Sequence, residues 1–165
     1  PFLDGNGRVG RILIALMLLA DGILHCPVLY LSLYLKTNRV EYYDRLSEVR
    51  AKGNYEQWIK FFLRGIVETS EDGIKTIERM HLLIHSDEEK LAKKTQTISK
   101  VFDYIKGHPI FSIGKAATTL GLSYNGVSAA VKKMLEMGIL NEITAKARDR
   151  VFEYSGYIDI LKSGT

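Results

Sequence analysis

The chain has 165 residues, 46% of them apolar and 25% charged, with a net charge of +4 and an isoelectric point near 9.1. This composition excludes a disordered or fibrous chain and leaves room for one sizeable domain or two small ones. The basic excess is slight, 14 basic against 13 acidic residues as far as Thr95 and 9 against 6 beyond it, too little to identify a nucleic-acid partner from charge alone.

The single cysteine, Cys26, rules out an intramolecular disulfide and predicts a reducing, cytoplasmic setting. Its apolar surroundings read as inert burial rather than nucleophile chemistry. No apolar run reaches the roughly 18 residues a membrane helix needs, so no membrane partner is expected. The chain opens at Pro1 with neither an initiator methionine nor a signal peptide, and reads as a piece of something longer.

Residues 7–19 are apolar on nearly every side, which predicts a helix buried over most of its surface. Asp21-Gly22 ends it. Pro27 opens the next element, and VLYLSLYL followed by KTNRVEYYDRLSEVRAKGN predicts a short and a long helix. Asn38 is the expected cap of the long one and Gly53-Asn54 its end. Residues 55–69 form another amphipathic helix, in which Trp58, with Tyr42 and Tyr43 before it, reads as a core or interface aromatic. Residues 72–97 are charged but carry Ile74, Ile77, Leu82, Leu83 and Leu91. They read as a connecting helix, because Pro and Ser are scarce. His81 and His85 have zinc-like spacing, yet no Glu follows the first and no third ligand is in sight, so a solvated pair is expected.

Beyond the connector the texture changes. ISKVFDYIKGHP is a helix ending at Gly107 and Pro109, Ser112 caps IGKAATTL, Gly121 makes a turn, and Ser123 caps YNGVSAAVKKMLEMG. LNEIT and RVFEYS, joined by the polar tip AKARD, read as a two-stranded hairpin, and YIDILKS as a final short helix. Helix, helix-turn-helix, hairpin is the order of a winged helix-turn-helix. In its second helix Val127, Val131, Met134 and Leu135 make the buried face, leaving Asn125, Ser128, Lys132 and Lys133 exposed. With Lys146, Arg148 and Arg150 at the hairpin, these are the residues that would meet a DNA groove and its phosphates. The face is only modestly basic, and winged helices also serve as docking or dimer modules, so DNA and a homodimer both stand as partners to test.

The opening PFLDGNGRVGR sets a glycine-dense polar loop against the start of an apolar helix. Gly5, Gly7 and Gly10 satisfy a dinucleotide fingerprint, but that motif needs flanking strands and the sequence here is helical throughout. A calcium loop starting at Asp4 needs Gly at its sixth position and Glu at its twelfth, where Val9 and Ala15 stand. A simple Asn-Gly hairpin turn should join two strands and does not. An anion cradle survives. Glycines let backbone N–H groups converge, and the helix N-terminus adds partial positive charge. Arg8 and Arg11 share a face of the first turn, where the macrodipole prefers acids, so a polyphosphate is the natural counter-charge. Asp4 beside such a ligand would repel it unless a cation lay between, which makes Asp4 a candidate Mg²⁺ ligand.

These residues resemble the Fic-domain signature, His-Pro-Phe-x-Asp/Glu-Gly-Asn-Gly-Arg-x-x-Arg, at every position except the first. PVLYLSLYLKTNRVEYYDRL and YEQWIKFFLRGI are similar to the helices that follow that motif, and the trailing winged helix to one carried by a large bacterial subgroup. The resemblance implies a mainly α chain: the C-terminal part of an all-α Fic domain over residues 1–70, a connecting helix over 71–95, and a winged helix-turn-helix with a small hairpin over 96–165. It implies a protein adenylyltransferase that moves AMP from ATP, with Mg²⁺, to a Ser, Thr or Tyr hydroxyl of a target protein. Asp4 would hold the metal, and Gly5, Asn6 and Gly7 would form the cradle, with Asn6 on the α-phosphate. Arg8 would hold the β-phosphate, Arg11 the γ-phosphate, and Phe2 would anchor the loop. The family's base is the histidine just before the proline, which this chain lacks. His25, His81, His85 and His108 stand elsewhere, so the polypeptide as given is expected to transfer AMP poorly. The alternative is a nucleotide-sensing or DNA-binding transcriptional regulator that works through the winged helix.

Overall fold

Helices form wherever apolar residues recur at three- and four-residue spacing without proline, which is most of this chain. The structure is a computed structural model that describes residues 4–24, 31–92, 94–144 and 150–163. It is mainly helical with one small antiparallel sheet. Among the described residues, no helix is long and apolar enough to cross a membrane. Two units divide the chain, Pro1–Lys75 and Thr76–Thr165.

The first unit holds α1 (Asn6–Ala20), α2 (Leu31–Thr37), α3 (Arg39–Lys52) and the start of α4 (Tyr55–Leu91). Its core is Leu31, Tyr34 and Leu35 of α2 against Phe61 of α4, with Ile14, Tyr42, Trp58, Phe62 and Ile66 packed around them. The Tyr34 and Phe61 rings lie 5.3 Å apart, and Trp58 reaches Tyr42 at 5.6 Å. Tyr43, read from the sequence as a core or interface residue, is about half exposed. Gly65 makes the close approach of α2 to α4 possible: a Cβ there would meet Tyr34 Cδ1 at 2.5 Å.

Three details differ from the sequence reading. No residue of α1 is buried, and Ile12, Leu13, Leu16 and Met17 are each more than half exposed. An apolar helix disappears from water only when partners cover every side, and α1 meets the core through Ile14. Asn38 does stand at the start of α3, but its side-chain N–H donates back to the Tyr34 carbonyl at 3.0 Å. It therefore closes α2 instead of capping α3. The helices expected over 55–69 and 72–97 are one continuous helix of 37 residues that ends at Leu91. Gly and Ser lower helix propensity there without breaking the ladder, and no proline intervenes.

The second unit holds the rest of α4, then α5 (Gln96–Gly107), β1 (Ile110–Ser112), α6 (Ile113–Leu120), α7 (Tyr124–Glu136), β2 (Leu140–Glu142), β3 (Val151–Tyr154) and α8 (Ser155–Ser163). The predicted hairpin is present, with Leu140 opposite Tyr154 and Glu142 opposite Phe152. A third strand, β1, pairs antiparallel with the other edge of β3, Phe111 opposite Phe152. Val101 and Ile105 of α5, Ala116 of α6, Val127, Val131 and Met134 of α7, and Phe152 and Tyr154 of β3 form one core. Ser112 and Ser123 cap α6 and α7 by accepting from Lys115 N–H and Gly126 N–H, as predicted. Gly121 ends α6 in the left-handed conformation, φ 63°.

One charged side chain is buried in that core. Asp87, 2% exposed, accepts from the Tyr154 hydroxyl at 2.7 Å and from Lys90 Nζ at 2.6 Å. Burial, reinforced by the Asp87 hydrogen bond, pushes the Tyr154 phenol far above its ordinary value, so it stays a donor at any working pH. Tyr104 is the counterpart: its hydroxyl is buried with no hydrogen-bond partner among the described residues.

Two outcomes follow from this packing. Tyr154→Phe strips a buried carboxylate of its neutral donor and lowers unfolding free energy by about 1.5–3 kcal/mol, whereas Tyr104→Phe removes an unsatisfied group and leaves stability equal or raised; urea midpoints compare the two. Gly65→Ala drives a methyl into the Tyr34 ring and costs about 1–3 kcal/mol, visible as an earlier melting transition that a paired Tyr34→Ala change partly removes.

Candidate functional site

The polar opening enters α1 through a left-handed turn. Gly5 stands at the N-cap with φ 82°, and its carbonyl accepts the first helical bond, from Val9 N–H at 3.0 Å. Most side chains resist that backbone conformation, which is why a glycine is placed there. Asp4 Oδ1 accepts the Gly5 N–H at 2.6 Å, holding the carboxylate at the entrance of the turn. The other Asp4 oxygen lies 3.8 Å from the Arg8 guanidinium, with both side chains well exposed.

Both arginines fold back along bare glycine faces, as helical side chains lean toward the N-terminus. A Cβ on Gly7 would lie 3.4 Å from Arg11 Nη1, and one on Gly5 would lie 4.0 Å from Arg8 Nη2. Asn6, Gly7 and Arg8 are exposed, and Gly5 and Arg11 half-buried. No acidic residue occupies the first turn of α1. The first N–H groups of any helix lack intrahelical acceptors, so the turn gathers guanidinium and amide donors within residues 5–11. The structure therefore places Asp4, Gly5, Asn6, Gly7, Arg8 and Arg11 together. Phe2, also assigned to this site from the sequence, lies outside the described residues.

The histidines sit apart from this turn in the chain. His25 lies outside the described residues, as does Cys26. His81 and His85 are exposed on α4, His85 within 3.6 Å of Glu89, and among the described residues no group of three or more metal-ligating side chains assembles. His108 closes α5 with its ring stacked on Tyr104 at 4.3 Å.

In the second unit Asn125, Lys132 and Lys133 are exposed on α7, but Ser128 is half-buried, since it sits one position from the buried Val127. Lys133 pairs with Glu136 at 2.9 Å, and Arg150 forms a two-pronged pair with Glu142 that draws the carboxyl below its ordinary range. Arg150 is therefore engaged within the hairpin it was expected to extend from. Lys146 and Arg148 lie outside the described residues.

Sequence reasoning missed an open groove of ≈ 450 Å³ where α2 meets α3, lined by Asn38, Arg39, Glu41 and Arg45 among others. Arg45 is clamped between Glu41 at 3.1 Å and Glu48 at 3.5 Å. The charge alternation of RVEYYDRLSE carries that signal as i,i+3 and i,i+4 pairs. No known family model matches the chain.

The left-handed Gly5 gives a direct check. Gly5→Ala strains the turn by about 1 kcal/mol, so hydrogen-exchange protection of the Val9 amide falls about fivefold, while Gly5→Asn keeps more of it because Asn tolerates this region.

Proposed function

We propose that this chain is part of a Fic-type protein adenylyltransferase, with residues 4–11 gripping the phosphates of ATP. AMP then passes to a Ser, Thr or Tyr hydroxyl of a protein substrate. One observation carries the reading: α1 begins at a left-handed glycine with two guanidiniums laid along bare glycine faces and no acid in its first turn. A helix start built that way opposes its own dipole and favours a polyanion.

In this reading Asn6 and Gly7 supply amide donors beside Gly5, whose own N–H is given to Asp4 Oδ1, Asn6 also reaches the α-phosphate, and Arg8 and Arg11 hold the β- and γ-phosphates. Guanidinium forks suit that task because each can donate two parallel bonds to phosphate oxygens. Asp4 would hold Mg²⁺. The fit is chemically reasonable with one carboxylate, since this ion keeps waters and takes its other oxygens from the phosphates. When bound, the ion neutralises charge that grows on the transferring phosphoryl group. The residues of this chain bind and orient the nucleotide. A base for the attacking hydroxyl is not among residues 4–11, which contain no histidine. The mainly helical architecture fits the C-terminal part of an all-α Fic domain. The order α5, β1, α6, α7, β2, β3 supports a winged helix after it.

The test is calorimetry with ATP and Mg²⁺. The chain binds the nucleotide, and Arg11→Ala and Asn6→Ala each weaken binding at least tenfold; absence of any binding heat removes the proposal. Incubation with α-labelled ATP then reports transfer. A version carrying histidine directly before Pro1 labels protein at least about 100-fold faster than the chain without it.

A further inference from the structure

Along α4, within the first unit, four aliphatic side chains face water. Ile59, Leu63, Val67 and Ile74 are each at least half exposed, while Phe61 between them in sequence is 1% exposed in the core. At roughly 100° per residue the four fall within an arc of about 80°, with the exposed Ser70 in the gap between Val67 and Ile74. Single exposed aliphatics are ordinary, but a continuous stripe about 22 Å long is what interaction surfaces carry. α1 also exposes Ile12, Leu13, Leu16 and Met17. That helix contains no acid, so nothing on it indicates what would cover it.

α4 differs, because charge marks one edge of its stripe. Arg64 lies beside the N-terminal half and Glu71 beside the C-terminal half, both exposed and on the same edge. They are too far apart to meet within the helix, and among the described residues neither forms an ion pair. Lys60, on that edge too, is already held by Glu56 at 2.5 Å. An edge that is basic toward one end and acidic toward the other complements itself only when reversed. In two antiparallel helices related by a two-fold axis, equivalent edges meet, and residue i faces j as j faces i. With Ile59 opposite Ile74 of a second copy, Leu63 faces Ser70 and the axis passes beside Val67. Arg64 then lies about 3 Å along the helix from Glu71 of that copy, well within its reach. Parallel pairing would bring opposite edges together, and the other edge, with Phe62, Ile66 and Gly73, offers no charge.

We propose that α4 pairs antiparallel with α4 of a second copy of this chain, along Ile59, Leu63, Val67 and Ile74, with two Arg64–Glu71 pairs setting the direction. Four aliphatics without an aromatic centre fall short of the roughly 800 Å² per partner of a stable complex, so the dimer forms in the upper micromolar range. The pairing depends neither on nucleotide binding by residues 4–11 nor on what the second unit binds, so each can fail separately.

Sedimentation equilibrium of the whole chain between about 10 and about 500 µM tests it, and the chain passes from monomer to dimer over that range. Arg64→Glu and Glu71→Arg each weaken the dimer at least about tenfold, since two symmetry-related pairs become repulsive. Mixed in equal amounts, the two variants recover the parent's affinity, because each reversed charge then meets its opposite; the recovery also shows that both are folded. Val67→Asp, beside the axis, abolishes association while circular dichroism stays that of the parent. A chain that is monomeric throughout overturns the proposal and leaves the stripe to a different protein. Association that Arg64→Glu leaves unchanged, or variants that do not recover on mixing, also overturn it, and loss of such association in Leu13→Asp assigns it to α1.

Discussion

A carboxylate withdrawn from water must be given donors, and Asp87 is given two: the ammonium one turn ahead on α4 and the phenol of Tyr154 on β3. Those bonds fix the last turns of α4 against the central strand of the sheet. Everything else in the second unit is arranged around that strand. β1 and β2 pair with its two edges, Phe102 packs edge-on to Tyr154 at 5.6 Å, and Gly156 comes close enough to Leu83 that a Cβ would stand 3.1 Å from it. α7 packs on α5, α6 and β2, with Val127, Val131 and Met134 buried in the core shared with Phe152.

Residues 4–11 follow the opposite rule. In two other helices of the first unit acids stand where the helix dipole wants them, Glu41 in the first turn of α3 and Glu56 in that of α4, while α2 has none. In α1 no acid stands there: Arg8 lies in the first turn and Arg11 in the second. The Asp4–Arg8 pair does not account for them. At 3.8 Å between groups about 75% and 95% exposed, such a pair contributes at most a fraction of a kcal/mol and is screened by salt. Polar groups that hold the fold together are buried and paired, like Asp87. At the start of α1, Asn6, Gly7 and Arg8 are exposed and Gly5 and Arg11 half-buried, and it is to these groups that the proposed nucleotide binding is assigned.

Much of this was legible in the chain. Ser112 and Ser123 announced α6 and α7, because a hydroxyl just before an apolar period is a local signal that needs no tertiary context. The helix expected from Gly7 was also close to legible, since α1 begins at Asn6 directly after the left-handed Gly5. What could not be read was set by contacts distant in sequence. β1 is three residues long, too short for any periodicity, and exists because Phe111 finds Phe152 across the sheet. Asn38 looked like a cap for the helix after it, but the Tyr34 carbonyl behind it was nearer. The apolar run of α1 implied burial, and burial depends on which surfaces meet it rather than on its own residues. Asp87 was one acid among several in HSDEEK until Tyr154 arrived from 67 positions away.

The proposed nucleotide grip uses arginine, and the choice of cation has a consequence. Arg8 and Arg11 lie three residues apart on α1, and each guanidinium is a planar fork able to make two parallel bonds to phosphate oxygens. A lysine ammonium is a point charge on a flexible stem and offers no such fork. Arg11→Lys would therefore keep the charge but lose the two-pronged contact, and with it much of the nucleotide affinity that the proposal assigns to residues 4–11. That asymmetry follows from the shapes of the charged groups alone.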